Sequence, residues 1–165
     1  MTNHSQHPTA TGKTRESQVK AIIEEHAGDA SALLQVLHAI QDLDAQNWLT
    51  EQELLWVAEG LNVPPSKVYG VATFYSMYSV RERGRHLIRI CENAPCHVVG
   101  ASDVISALRQ QLGIDIGGTT ADGCFTLELT SCLGVCGVAP AMMIDQTVYG
   151  NLTPEKLPAI LAEYK

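Results

Sequence analysis

The chain has 165 residues, 45% of them apolar, and a formal charge of −7, which suits one ordinary globular domain or two small ones. That charge argues against a nucleic-acid partner, whose phosphates repel such a surface, and equally against docking on anionic lipid. No apolar run is long enough to cross a bilayer, and aromatics at 5% leave the core to Leu, Ile, Val and Ala.

Residues 1–13 are polar, without a secretory hydrophobic segment, and read as a disordered tail whose His4 and His7 are solvated rather than ligating. The expected setting is therefore cytoplasmic, with no direct membrane insertion. Residues 15–26 carry Val19, Ile22 and Ile23 at helical spacing, and Gly28 closes the segment. Residues 31–45 form a second helix with the stripe Leu33, Leu34, Leu37, Ile40 and Leu43, capped by Asp29. Thr50-Glu51-Gln52-Glu53 has the form of a capping box ahead of Leu54, Leu55 and Val57, and that helix stops near Gly60. Pro64-Pro65-Ser66 opens a further helix through Val68, Val71 and Phe74. Residues 14–80 thus read as a small helical domain. Tyr69, Phe74, Tyr75 and Tyr78 follow at roughly helical spacing. Phe74 is expected to pack inward, while the tyrosines suit either packing or the wet rim of a partner surface.

The charged, glycine-containing stretch from Val80 to Arg85 marks a boundary, and residues 81–165 read as an α/β domain. Residues 86–91 form a strand ending on a cysteine. A helix is expected over 98–112, closed by Gly113, and a period-two strand over 125–130. Residues 141–145 and 147–149 form a hairpin. Thr153-Pro154-Glu155 starts a terminal helix that runs to Tyr164, with proline at its first position. This order suits a thioredoxin-like α/β layer behind the N-terminal helical bundle.

Five cysteines in a reducing compartment point to metal or redox chemistry rather than disulfides. Four form two pairs, Cys91-x4-Cys96 and Cys132-x3-Cys136, each in a loop after an expected strand. If those strands are neighbours, four thiols meet at one edge of the sheet. Pro95 stiffens the first loop, while Gly134 and Gly137 let backbone approach sulfur in the second. A helix beginning after Cys96 would turn its N-terminal donors toward a negative metal centre. Iron–sulfur and zinc centres both accept such thiolates, and the spacing departs from the plant-type ferredoxin order. Absence of Cys-x-x-Cys weakens a thiol-redox reading.

These motifs resemble the thioredoxin-like [2Fe–2S] subunit family, that of the 24 kDa-type subunit of NADH dehydrogenase and its equivalents in NAD(P)-linked hydrogenases, electron-bifurcating ones included, and formate dehydrogenases. The resemblance is carried by residues 68–75 and 91–100, Asp122 to Glu128, Ser131 to Gly137, Ala139-Pro140 and Tyr149 to Pro154. It implies one [2Fe–2S] cluster on Cys91, Cys96, Cys132 and Cys136. It also implies a partner subunit binding FMN and NAD(P)H, with further iron–sulfur or catalytic subunits beside it. Glu92 to Pro95 departs from the commonest first loop, and the Glu92 carboxylate would lower the cluster's potential if it lies close. Cys124 stands where a basic or polar residue is expected and reads as a semi-buried spare thiol. His97 reads as a packing or hydrogen-bonding residue.

The chain holds no G-x-G-x-x-G, no Walker A sequence and no catalytic constellation of its own. The expected role is therefore electron transfer, in single electrons, beside a flavin that splits the pair carried by a hydride donor. Two other readings stay open from the residues: an interaction module with structural zinc on the same thiols, and a free-standing thioredoxin-like ferredoxin. The helical domain, which a diffusing carrier would not need, favours assembly.

Overall fold

The computed structural model describes residues 14–26, 28–43 and 47–164. The polar tail with His4 and His7, and the expected helix end at Ala45, lie outside them. The described chain divides between Glu82 and Arg83 into two compact units.

The first unit contains α1 (Arg15–Glu25), α2 (Leu33–Gln41), α3 (Glu51–Gly60) and α4 (Pro65–Phe74). Local chemistry accounts for their starts. The Thr14 hydroxyl accepts from the Ser17 N–H at the head of α1. Asp29 accepts from the Ser31 N–H, but it caps a 3-10 turn, Ala30–Ala32, that leads into α2. At α3 the capping box forms: Thr50 N–H donates to Glu53 Oε2 at 2.8 Å, and Glu53 N–H to Thr50 Oγ1 at 3.2 Å. Val19, Ile23, Val36, Leu37, Ile40, Leu54, Val57 and Val68 make the core.

Two expectations are corrected by this unit. The apolar face of α2 is Leu33, Val36, Leu37 and Ile40, the i, i+3, i+4, i+7 set, which leaves Leu34 39% exposed. The helix itself ends at Gln41. Phe74, expected to pack inward, is 79% exposed, whereas Tyr78 is 5% exposed and donates its hydroxyl to the Leu34 carbonyl at 2.8 Å. The inward face of α4 is Val68 and Ala72, which leaves Phe74 on the solvent side of the helix, and Tyr75 then adopts an extended backbone (φ −89°, ψ 122°), so helical spacing does not relate Tyr78 to α4.

The second unit is a four-stranded sheet in the order β2-β1-β3-β4, with β1 (His86–Cys91), β2 (Phe125–Thr130), β3 (Met142–Ile144) and β4 (Thr147–Tyr149). β1 runs parallel to β2 and antiparallel to β3, and β3–β4 is the expected hairpin. Ile88, Ile90, Phe125, Leu127, Met142 and Ile144 share a core with Val104, Leu108, Leu157 and Leu161. Those partners lie on α6 (Ala101–Leu112) and α7 (Leu157–Ala162), the latter entered through a 3-10 turn at Pro154–Lys156.

The helix expected over 98–112 is two helices. α5 (Ala94–Val98) starts earlier because the Asn93 side chain accepts from the Ala94 N–H, and Gly100 at φ +98° separates it from α6. The expected alternation of β2 is also lost: Phe125, Thr126 and Leu127 are all buried. Segment 117–120 covers this outer strand, with Gly117 N–H donating to Leu127 O at 2.7 Å and Leu127 N–H to Gly118 O at 3.1 Å.

Entry to β1 is equally tight. Gly84 N–H donates to Thr126 Oγ1 at 2.6 Å, and a Cβ on Gly84 would sit 2.8 Å from the Phe125 carbonyl carbon and 2.9 Å from its nitrogen. Backbone cannot swing aside as a side-chain tip can. Gly84→Ala is expected to cost about 1–3 kcal/mol, the usual penalty of overpacking, read as a lower urea midpoint at unchanged m-value.

Candidate metal centre

The parallel pairing of β1 with β2 brings the loops that carry the two cysteine pairs to one edge of the sheet. In that register Cys91 is level with Thr130, so Cys132 follows two residues beyond the same edge of the sheet. β1 lies between β2 and β3. The loop from Ser131 to Ala141 leaves the end of β2 and returns as β3, crossing the end of β1 where Cys91 sits. Cys91 N–H donates to Ala141 O at 3.2 Å and so pins the far end of that loop. Ligand sites commonly form at the carboxyl ends of parallel strands for this reason, because their loops converge there.

Burial divides the four thiols. Cys91 and Cys96 are buried and pack with Ala101, Leu133 and Ala139, while Cys132 and Cys136 are exposed. Cys91 is the last residue of β1. Cys96 lies in the first turn of α5 rather than ahead of a helix, and it packs against Ala101 at the start of α6. Cys136 opens a 3-10 turn, Cys136–Val138, followed by a cis Ala139–Pro140 bond.

The buried half of the site, Cys91 and Cys96, lies in apolar packing. Burial pushes the Cys96 thiol above its ordinary pKa; a hydrogen bond with Cys91 and the nearby Cys136 act the same way, against a backbone bond with Ala141. Gly134 N–H donates to Cys132 Sγ at 3.3 Å from a backbone at φ +78°, the left-handed region that glycine adopts freely. Cys91 Sγ lies 3.8 Å from the Ser131 carbonyl oxygen. Among the described residues, no three His, Cys, Asp or Glu side chains are gathered tightly enough to hold a single ion.

The donor set at this edge is wholly thiol, and it fits a thiolate-bound cluster of the type in which two irons share four cysteines. Glu92 has an exposed side chain, and its N–H donates to Thr130 O at 3.1 Å. His97 is exposed and bonds through its ring to Ser102 Oγ at 3.3 Å, in line with a hydrogen-bonding role. Cys124 is fully buried, not semi-buried, and donates to the Tyr164 carbonyl at 3.5 Å. It precedes β2 at the end opposite Cys132, roughly 20 Å along the strand, and stands apart from the other four. The sequence reading missed Asn93, which starts the helix carrying Cys96; its place before Ala94-Pro95 was the available signal.

A surface cleft of about 470 Å³ opens in the first unit, between Trp56, Ile23, Lys20, Glu24 and Glu59. None of its lining residues is a cysteine. No helix among the described residues is long and apolar enough to cross a membrane.

The chain is similar to known proteins over most of its length. The family model described as thioredoxin-like [2Fe-2S] ferredoxin matches residues 19–165. The chain is 41% identical over 135 residues to a subunit of the NADH-quinone oxidoreductase of Salmonella typhimurium, covering 82% of this chain and 80% of that one. It is 37% identical over 147 residues to the HndA subunit of the NADP-reducing hydrogenase of Solidesulfovibrio fructosivorans, covering 89% and 85%. Among solved structures, it is similar to a chain of an NAD+-reducing [NiFe]-hydrogenase, with a TM-score of 0.69 and 25% identity. That likeness covers 85% of this chain and 24% of the larger one.

Proposed function

This chain belongs to the thioredoxin-like [2Fe–2S] ferredoxin family, and on that footing we propose that it is the electron-transfer subunit of a multi-subunit NAD(P)H-linked flavoprotein oxidoreductase. In this reading Cys91, Cys96, Cys132 and Cys136 hold one [2Fe–2S] cluster. The observation that carries it is the β1–β2 register, which sets Cys91 and the start of the Cys132–Cys136 loop at one sheet edge.

When bound, the cluster supplies one-electron chemistry and no other. The chain's own residues do the rest. Cys91 and Cys96 hold their side of the site inside apolar packing and exclude water. The Gly134 N–H favours negative charge on the Cys132 sulfur. Cys132 and Cys136 leave the other side open for electron exchange. A hydride donor gives two electrons, so a flavin must divide them. FMN and NAD(P)H therefore belong to a partner subunit, with further iron–sulfur or catalytic subunits completing a complex of the hydrogenase, formate dehydrogenase or NADH:quinone oxidoreductase type. This chain contributes no catalytic residue.

The test is anaerobic purification of the full chain, with iron and sulfide analysis, visible absorption and low-temperature EPR after reduction. About two irons and two sulfides, with a spin-one-half signal, is the expected result. A colourless protein with stoichiometric zinc would overturn the reading.

The first unit supplies the assembly surface in this reading. Tyr69, Phe74, Tyr75 and Met77 are exposed large side chains near the end of α4, with the Phe74 and Tyr75 rings 5.0 Å apart. Exposed aromatics of this kind are the usual anchors of protein interfaces. Phe74→Ser is expected to weaken association with the flavoprotein subunit by about 2 kcal/mol, roughly thirtyfold in Kd, with iron content unchanged. Titration calorimetry of the two subunits measures it, and undiminished affinity would remove Phe74 from the interface.

A further inference from the structure

We propose that Gly150 is a positioning residue for the metal centre: the exit of β4 is the template against which the turn carrying Cys136 is set. This rests on the reading that Cys136 is a ligand. The contact is unusually close. A Cβ on Gly150 would lie 2.5 Å from Val138 Cγ2, 2.6 Å from Val138 Cβ and 2.9 Å from the Val138 carbonyl oxygen. Carbon atoms ordinarily touch at about 3.5–4.0 Å, so even a methyl group there demands a displacement of about 1 Å.

The surroundings decide what gives way. Asn151 N–H donates to Val138 O at 2.6 Å and Leu152 N–H to Pro140 O at 3.1 Å, so residues 150–152 lie along 138–140. On its far side the same stretch is tied by Cys91 N–H to Ala141 O at 3.2 Å. Leu152 is buried in the sheet core, which anchors the template. Two of the three clashing atoms, Cβ and the carbonyl oxygen, cannot be moved by a rotamer change. The displacement therefore passes into the 3-10 turn Cys136–Val138, whose first residue is the ligand. Metal constellations tolerate errors of about 0.5 Å, less than the shift required. Glycine at position 150 thus fixes where Cys136 stands relative to Cys91 and Cys96.

The test compares the full-length wild type with Gly150→Ala, Val138→Gly and the double variant. Two readouts are taken: the half-life of the cluster's visible absorption under a chelator, and the amide chemical shifts of residues 132–141 in the metal-free protein. Gly150→Ala is expected to shorten the half-life about tenfold, the scale of outer-shell changes at metal sites, and to displace those amides while leaving α1 to α4 unperturbed. Val138→Gly in the same chain removes the two closest clashing atoms, leaving only the carbonyl oxygen at 2.9 Å, and is expected to return both readouts part of the way toward those of Val138→Gly alone. Gly150→Ala matching the wild type in both, or a double variant no better than Gly150→Ala, would overturn the proposal. Should Gly150→Ala not fold, Val138→Ala opens the same contact with the glycine in place; displaced amides at 136 and 150 then support the contact, and unmoved ones overturn it. A wild type that takes up no iron would sink the ligand reading, while the metal-free shifts still decide whether Gly150 sets the turn.

Discussion

Cys96→Ser is expected to empty the chain of iron, taking it from about two irons to near none, while Cys124→Ser is expected to keep its full complement. The asymmetry follows from position. Cys96 is 2% exposed, hydrogen-bonded with Cys91 and within electrostatic reach of Cys136. Its environment has no spare thiol to replace it, since Cys124 lies at the opposite end of β2. A serine hydroxyl is a hard, weakly acidic donor and does not substitute for thiolate toward iron–sulfur centres. Cys91→Ser, Cys132→Ser and Cys136→Ser are expected to follow Cys96→Ser, measured by iron and sulfide content after identical anaerobic reconstitution. Cys124→Ser keeps a donor for the Tyr164 carbonyl and costs about 1 kcal/mol of stability for a buried small apolar group. A Cys96→Ser protein holding two irons, or a Cys124→Ser protein holding none, would remove the proposed ligand set.

The second large effect is on folding. Glu53→Ala is expected to destabilise the first unit by about 3 kcal/mol, at the low end for breaking a buried charge pair. Glu53 is 2% exposed, yet one carboxylate does three things: it accepts from Thr50 N–H, accepts from Thr50 Oγ1, and pairs with Arg15 Nε at 2.5 Å. Arg15 in turn donates to the Ile40 carbonyl at 3.2 Å, so α1, α2 and α3 are joined through this one group. Arg15 keeps partial access to water, which limits the loss. Glu53→Gln retains an acceptor for the cap and is expected to cost about 1 kcal/mol. Urea unfolding followed by helical circular dichroism measures both, with the cluster's absorption as an internal control on the second unit. A change within about 0.5 kcal/mol for Glu53→Ala would make the pair an ordinary surface contact.

Much of the architecture was legible because its signals are local. The capping box at Thr50–Glu53 spans one helical turn, the strands 86–91 and 125–130 are short runs, and the cysteine pairs are close in sequence. Each can be read from a window of a few residues. Failures occurred where the window ended. The spacing Val68, Val71, Phe74 suggests one face of α4 while the buried face is Val68 and Ala72, and the helix ends before Tyr78, which helical spacing alone does not place. The five residues of α5 are too few for a period to show, and nothing local marks Gly100 as the break between two helices. Thr126 looked like the outward residue of an alternating strand, until segment 117–120 covered that edge.

The order of residues is enough to specify the grouping of four cysteines into two pairs and the helices ahead of them, because short spacings and helix periodicity act over a few residues. The parallel pairing of β1 with β2, in the register that joins the two cysteine pairs, comes from the folded chain alone. So does the pairing of Glu53 with Arg15, 38 residues away, and the seating of Gly150 under Val138. Those contacts depend on how separate elements close on one another, and no local propensity encodes a distance between groups so far apart along the chain.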